Sequence, residues 1–527
     1  MYLRGDPLKP HVSPETLELL KRWINGCVAE HYDCGRTLSG EHIESKVPTL
    51  PTRVIDVGPP GQPITPRLIQ TNGLQGHYVA LSHCCGKPEP DCRPITTTRA
   101  SFLGRLKGIP LDTMPKTFQD AVAITKTIGL QYLWIDSLCI IQDDTKDWEK
   151  ESETLGLIYE RAHLTIAASH ASDSRFGCFY KRAYPATLTQ AVRLPFFVPA
   201  MIGTAAMTSM QEAGSFYVNI AWSNFSHWDM IGCTLERRGW ITQEWILSRR
   251  MVHYLEEGMV WTCKTRAENE SGEKEIFWDR TKSWSEIVSQ HSSRAFTREG
   301  DRLISLEGLA TEMKKIRKDQ GYFFGLWTGD LPRCLLWKPP SCFLLQRNHE
   351  LPNVPSWSWA SRKGTIHFQI STLRHSVVDQ QVSDFCKIIN IVKEDKRCLL
   401  WIVSRLKALD KVIVRKVEDE DIDNASEEER SIVQRHGEET LLTISEEEIG
   451  WVLFDEGDCS DNPHLKISTF FLPIVKAAGE EHGKSWCEGL LLRYSSSVKD
   501  AFERVGVAQV RKMSWLNDAA KRSVCIV

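Results

Sequence analysis

Apolar and polar positions between residues 77 and 181 switch repeatedly between two periods. "HYVALSH" (His77–His83) alternates and reads as a strand. "MPKTFQDAVAITKTIGL" returns its apolar residues every three to four positions, with proline near its start and Gly129 near its end, and predicts a helix. "QYLWIDSLCII" (Gln131–Ile141) reads as a second strand with Asp136 inside it, on the same side as Trp134 and Leu138 because strand side chains alternate. "DTKDWEKESETLGLIYERA" predicts a second helix and "HLTIAAS" a third strand. Strand, helix, strand, helix, strand predicts an α/β fold with a doubly wound, mostly parallel sheet, and active loops beyond the strand C-termini.

Outside this core the pattern is coarser. A helix is expected over Pro14–Tyr32, then a loop at "VGPPGQPITPRL", so residues 1–70 form an N-terminal entry segment. The central domain is placed at 71–250, with its core at 78–181. Residues 182–230 show no clear period. "RGWITQEWILSRR" predicts a helix, and "MVHYLEEGMVWTC" a pair of strands joined near Glu257–Gly258. Residues 251–410 read as an α+β region, helical over 284–320, with "PSWSWAS" a strand of one aromatic face. An acidic loop is placed at 411–445, centred on "VEDEDIDNASEEER". C-terminal strands over 446–527, among them "GWVLFDEG" and "GLLLRY", are expected to pack back on the preceding region.

Composition narrows the class. The 527 residues are too many for one ordinary core. Lys plus Arg at 65 against Asp plus Glu at 68 leaves a net charge of -3 with no basic cluster, which argues against a nucleic-acid partner. The most apolar run, Leu194–Met207, is broken by Pro195 and Pro199 and is too short to span a bilayer, so no membrane segment is expected. The start has no signal-peptide core, and the 16 cysteines lack the spacing of a disulfide scaffold; a cytoplasmic chain with reduced thiols is the expectation.

Candidate chemistry gathers at the strand ends. Trp148, Glu151, Leu155, Ile158 and Tyr159 share one helical stripe, so Glu151 lies in an otherwise apolar row. A carboxylate there is costly unless paired or at a cleft edge, and partial burial raises its pKa. Such a group suits a ribose or a developing cation; the other reading is a buried glutamate held by amides or an arginine. Asp136 must be hydrogen-bonded, which suits tying down a loop. One of Asp143, Asp144 and Thr145 is expected to be a helix N-cap. In "SHCCGKPEP", Ser82 and His83 offer a hydroxyl and an imidazole, Gly86 close backbone approach, and Lys87 a charge for phosphate. Cys84 beside His83 is not a catalytic pair, since neighbours on a strand face opposite ways. Arg238, Arg249 and Arg250 are candidate partners for the acids, and the tryptophans at 327, 337, 357 and 359 read as packing. "CVAEHYDC" sets Cys27, His31 and Cys34 at helical steps of four and three; three such donors with a fourth elsewhere can hold zinc, but the spacing is no known knuckle. They are read as core, with no metal expected.

With these pieces in order the chain resembles the fungal heterokaryon-incompatibility (HET) domain proteins. The stretches that carry the resemblance are "YVALSHCCG", "MPKTFQDAVAITKTIGLQYLWIDSLCIIQDD", "DWEKESETLGLIYERAHLTIAAS" and "RGWITQEWILSRR", supported by "AFTREGDRLISLEGLA", "GLWTGDLPRCLLW" and "PSWSWAS". Where the family pattern has tryptophan after "SHC", this chain has Cys85. The resemblance implies nonself recognition between fungal cells ending in programmed death. HET domains are in turn distantly similar to TIR domains, doubly wound modules that act by assembly and in many members cleave NAD through a glutamate on the helix after a central strand. Glu151 occupies that kind of place, three residues from Trp148 where TIR sequences commonly show four. The resemblance thus implies a TIR/flavodoxin-like core with Glu151 catalytic, and Ser82, His83, Gly86, Lys87, Asp136, Asp143 and Trp148 around a nucleotide. NAD enters as substrate and not as cofactor. Implied partners are further copies of the chain through the HET domain and an incompatibility protein; the alternative is an adaptor that assembles without chemistry.

Overall fold

The computed structural model describes residues 14–44, 46–86, 95–179, 192–199, 210–218, 233–255, 258–270, 272, 274–275, 283–340, 345–368, 381–394, 397–409, 413–416, 440–444, 447–455, 469–478 and 485–527. The chain divides into two compact units, one of Met1–Arg280 with Glu307–Ile316 and the other of Thr281–Leu306 with Arg317–Val527.

The first unit is built on a nine-stranded mixed sheet. In chain order its elements are α1 (Pro14–Glu30), β1 (Arg53–Asp56), β2 (Arg67–Gln70), β3 (Tyr78–Ser82), α2 (Phe102–Lys107), α3 (Lys116–Thr127), β4 (Tyr132–Trp134), α4 (Asp136–Cys139), α5 (Thr145–Arg161) and β5 (Leu164–Ala167). They continue with β6 (Val192–Pro199), β7 (Met210–Val218), α6 (Ile241–Leu247), β8 (Arg250–Tyr254), β9 (Met259–Cys263), β10 (Ala267–Asn269) and β11 (Lys274–Glu275). Across the sheet the order is β11-β10-β9-β8-β5-β3-β4-β1-β2. The central four strands, β4, β3, β5 and β8, run parallel, and the outer ones are antiparallel. Parallel neighbours need long crossovers, here supplied by the helices between them. The chain steps from β3 to β4 on one side and returns to β5 on the other, so the strand order reverses beside β3.

Local chemistry explains these elements. Every residue of β3 and β5 is buried, as the largely apolar strands of a covered parallel core require, and those of β8 and β9 are buried as well. Asp144 is the N-cap of α5, accepting the amides of Lys146 at 3.1 Å and Asp147 at 3.4 Å. Helix α5 buries Leu155, Ile158 and Tyr159, each contributing about 1.5–3 kcal/mol of burial. Gly156 lets α5 approach the helix α8 (Asp301–Ile316; α7 is Trp284–Ser292) closely: a Cβ there would lie 3.0 Å from Gly308 Cα and 2.9 Å from Leu247 Cδ1.

Several elements differ from the sequence reading. The strand expected over 131–141 ends at Trp134, and Asp136 instead opens the one-turn α4, where its carboxylate accepts the Ser137 amide at 2.7 Å. The patternless stretch 182–230 contains the β6–β7 hairpin. In the second unit "PSWSWAS" is no strand: Ser358 caps a short 3-10 turn, Trp359–Ser361, by accepting the Ala360 amide. Trp327, Trp337, Trp357 and Trp359 are all fully buried, as packing residues should be. The second unit carries an eleven-stranded sheet, antiparallel except for one short pairing, and includes strands Glu447–Phe454 and Ser485–Tyr494. Strands Ile413–Lys416 and Thr440–Ile444 fall within the span expected as acidic loop, whose centre, Val417–Arg430, lies outside the described residues.

Candidate functional site

Beyond the C-terminal end of β3, polar side chains from three parts of the chain converge. Ser82, the last residue of β3, donates its hydroxyl to Glu244 on α6. Arg238, just before α6, donates to the carbonyl of His83, and its guanidinium lies 3.8 Å from Glu244 and 4.0 Å from Asp136. His83 follows directly, 1% exposed, its ring edge-to-face with Phe118 at 5.0 Å. Its Nδ1 is buried without a hydrogen-bond partner, 3.9 Å from Asp136 Oδ1. The Cys85 thiol lies 3.7 Å from the other ring nitrogen. Tyr159 of α5 closes the floor, donating to the Leu81 carbonyl at 3.2 Å.

Burial sets the protonation states. It pushes His83 down to about 4, against the opposing pull of Asp136, so the imidazole is neutral at pH 7. Burial raises Glu244, with Arg238 and the Ser82 hydroxyl drawing it back. The thiol of Cys85 is pushed up to about 12 by burial, and Cys84 is also raised. Neither cysteine is a ready nucleophile. Asp136 differs from its neighbours in being reachable, with 28% of its side chain exposed. The site therefore presents one accessible carboxylate and one partly exposed guanidinium, backed by a buried neutral imidazole and an ion-paired floor.

The sequence-based candidates divide into two groups. Ser82, His83 and Asp136 are brought together, and of the three arginines Arg238 joins them. Arg249 and Arg250 instead hold Glu44, at 2.6 and 2.7 Å. Gly86 lies at the loop's turn with φ of +88°, where a Cβ would meet Asp173 Cβ at 2.6 Å; only glycine fits. Lys87 lies outside the described residues. Asp143 is exposed and accepts the Arg99 amide at 2.8 Å, so it ties a loop. Trp148 is half-buried with its ring edge-to-face against Trp240 at 6.2 Å.

Glu151 is 1% exposed. Its partners are the Arg53 guanidinium at 3.4 Å and Thr52, both at the start of β1. Arg53 in turn holds Asp147 at 2.6 Å and the Cys139 carbonyl at 2.6 Å. Burial raises the Glu151 carboxyl, with Thr52 and Arg53 pulling it back. Of the two readings weighed for this residue, its contacts match a buried glutamate held by an arginine.

The sequence reading named Arg238 as a candidate but not Glu244, which reaches Ser82 across 162 residues. The charge of Glu244 on a seven-residue, largely buried helix was the available signal. For metals, donor atoms of His83, Cys85 and Asp136 lie within 4.8 Å of one another, a three-ligand set. A hollow of about 390 Å³ lies elsewhere, at the N-terminal end of β3, lined by Glu44, Gln75, His77, Arg161 and Arg249 among others. No helix among the described residues is long and apolar enough to cross a membrane.

The chain matches no curated protein and no solved structure. Residues 78–244, which run from the first residue of β3 to Glu244, match the family model described as heterokaryon incompatibility protein (HET), and the chain carries a HET domain.

Proposed function

We propose that this chain is an incompatibility effector whose HET domain is a doubly wound, TIR-like module that cleaves NAD at the rim beyond β3. One observation carries the reading: Ser82, His83, Asp136, Arg238 and Glu244 converge where the strand order reverses, the place where open α/β sheets bind ligands. In this reading Asp136 is the accessible anion facing the ribose. As the nicotinamide bond breaks, nicotinamide leaves with the bonding pair, positive charge develops on the sugar and is stabilised by the nearby carboxylate, and water adds to the sugar carbon to give ADP-ribose and a proton. Arg238 offers its guanidinium to a phosphate. The neutral, buried His83 stands behind Asp136, its Nδ1 3.9 Å from Oδ1. Glu151, held by Arg53, supports the rim by fixing α5 to β1 and stands as the competing acid.

The test incubates the purified full chain with NAD and follows nicotinamide release by chromatography, with Asp136→Asn, His83→Gln and Glu151→Gln compared. The proposal expects Asp136→Asn to lose turnover by about 100-fold or more in a folded chain, while Glu151→Gln keeps most of it. Loss in Glu151→Gln alone returns the acid role to position 151. Death of expressing cells without NAD consumption favours the adaptor reading, in which copies of the HET domain assemble and no bond is cleaved.

A further inference from the structure

Four soft donors meet at a place the proposed reaction does not use. Cys27 lies near the end of α1, His31 just beyond it, and Cys34 on the following 3-10 turn, Tyr32–Gly35. The fourth is Cys263, the last residue of β9, 229 residues after Cys34 in sequence. One ligand atom from each lies within 4.8 Å of all the others. The Cys263 thiol is 3.3 Å from His31 Nδ1. Tetrahedral zinc with bonds of about 2.3 Å to sulfur and 2.0–2.1 Å to nitrogen sets its ligand atoms roughly 3.5–3.8 Å apart, so sub-ångström adjustments close the shell.

We infer that Cys27, His31, Cys34 and Cys263 form a structural zinc site. Donor chemistry selects the ion: three thiolates and an imidazole in a four-sided cage suit zinc(II), and four protein ligands leave no open position for catalysis. The surroundings are those of a ligand shell. Arg250 donates its Nε–H to Cys27 Sγ at 3.3 Å, which offsets the single negative charge that three thiolates leave on bound zinc. The Thr265 hydroxyl lies 3.5 Å from Cys34 Sγ. The two strands of chain are already held in register, with Lys264 donating to the Arg36 carbonyl at 2.6 Å and Trp23 against Trp261 at 6.2 Å. A disulfide would use only two of the three thiols and would leave the imidazole without a role. Zinc uses all four, and each thiol gives up its proton on binding.

The full chain, purified in reducing buffer without chelator from zinc-supplemented cells, is analysed for metal by mass spectrometry. About one zinc per chain is expected, and Cys34→Ser or Cys263→Ser should lose it by roughly tenfold or more while Cys487→Ser, a buried cysteine elsewhere, keeps it. Should the site variants fail to fold, cobalt(II) replacing zinc in the unaltered chain still decides the matter. Thiolate-to-cobalt charge transfer with the intense visible bands of a tetrahedral ion supports the site. Zinc well below one equivalent after incubation with the ion, full retention in Cys34→Ser and Cys263→Ser, or a cobalt spectrum without thiolate bands would overturn it.

Discussion

Replacing Arg53 by methionine tests the ion pair that removes Glu151 from the rim. The guanidinium is 6% exposed and has three partners, Asp147, Glu151 and the Cys139 carbonyl. Methionine keeps much of the volume but leaves the Glu151 carboxylate, 2% exposed, without its cation. Removing one member of a buried pair costs about 3–5 kcal/mol, because the remaining charge stays desolvated. A domain of this size shifts its midpoint by roughly 2 °C per kcal/mol, so a loss of about 6–10 °C is expected. The double variant Arg53→Met/Glu151→Leu removes both charges and should recover most of that, to within about 1–2 kcal/mol of the parent. Asp147 keeps the Ile141 amide at 2.8 Å and does not become a second orphan. Equilibrium unfolding followed by circular dichroism and tryptophan fluorescence measures each variant. The single variant should also acquire a pH dependence. With its carboxyl raised further above the ordinary glutamate range, the fold binds a proton that the unfolded chain releases, so stability falls as pH rises through that window. An Arg53→Met loss below about 1 kcal/mol, or a double variant worse than the single, would mean that Glu151 is hydrated and open to a ligand.

Further expectations follow from the same kind of accounting. Gly308→Ala places a Cβ 2.6 Å from Gln243 Oε1 and 3.0 Å from Gly156 Cα, and should cost about 1–3 kcal/mol in thermal unfolding. Burial holds His83 near 4, below its ordinary value of 6.5, so the unfolded chain takes up the proton first. Stability should fall as pH drops from 6.5 toward 4, and His83→Gln should flatten that part of the curve. In the second unit Arg504 grips Asp455 with two bonds of 3.0 Å and donates to the carbonyls of Leu335 and Trp337, all fully buried. Asp455→Ala should cost about 3–5 kcal/mol, read as a lowered urea midpoint.

How much of this was legible in the sequence depends on the length over which a pattern persists. Helices α3 and α5 and strands β3 and β5 were readable because each repeats its period long enough, and each carries its own boundary residue, such as Asp144. Asp136 was misplaced for the opposite reason. A three-residue strand followed by a one-turn helix is too short for either period to assert itself, so one apolar run covered both. The same limit hid the β6–β7 hairpin, and the alternating serines and tryptophans of 355–361 imitated a strand where a serine-capped turn exists. Contacts between distant segments have no local trace. Nothing in "CVAEHYDC" points to Cys263, nor in "YVALS" to Glu244, and nothing near Glu151 in sequence names Arg53 as its partner.

The mixed sheet has a practical consequence for anyone who isolates the HET domain by its family match. Strand β4 pairs on one flank with β1, and β5 on the other with β8, and both β1 and β8 lie outside residues 78–244. A fragment trimmed to those residues would start at the first residue of β3 and lose β8 from beside β5. It would bare the hydrogen-bonding groups of β4 and β5 on opposite sides of an apolar slab, an invitation to stick to other copies. Self-association by such a fragment would report where it was cut, and only a chain that begins before α1 and runs past β11 can speak for assembly in the intact protein.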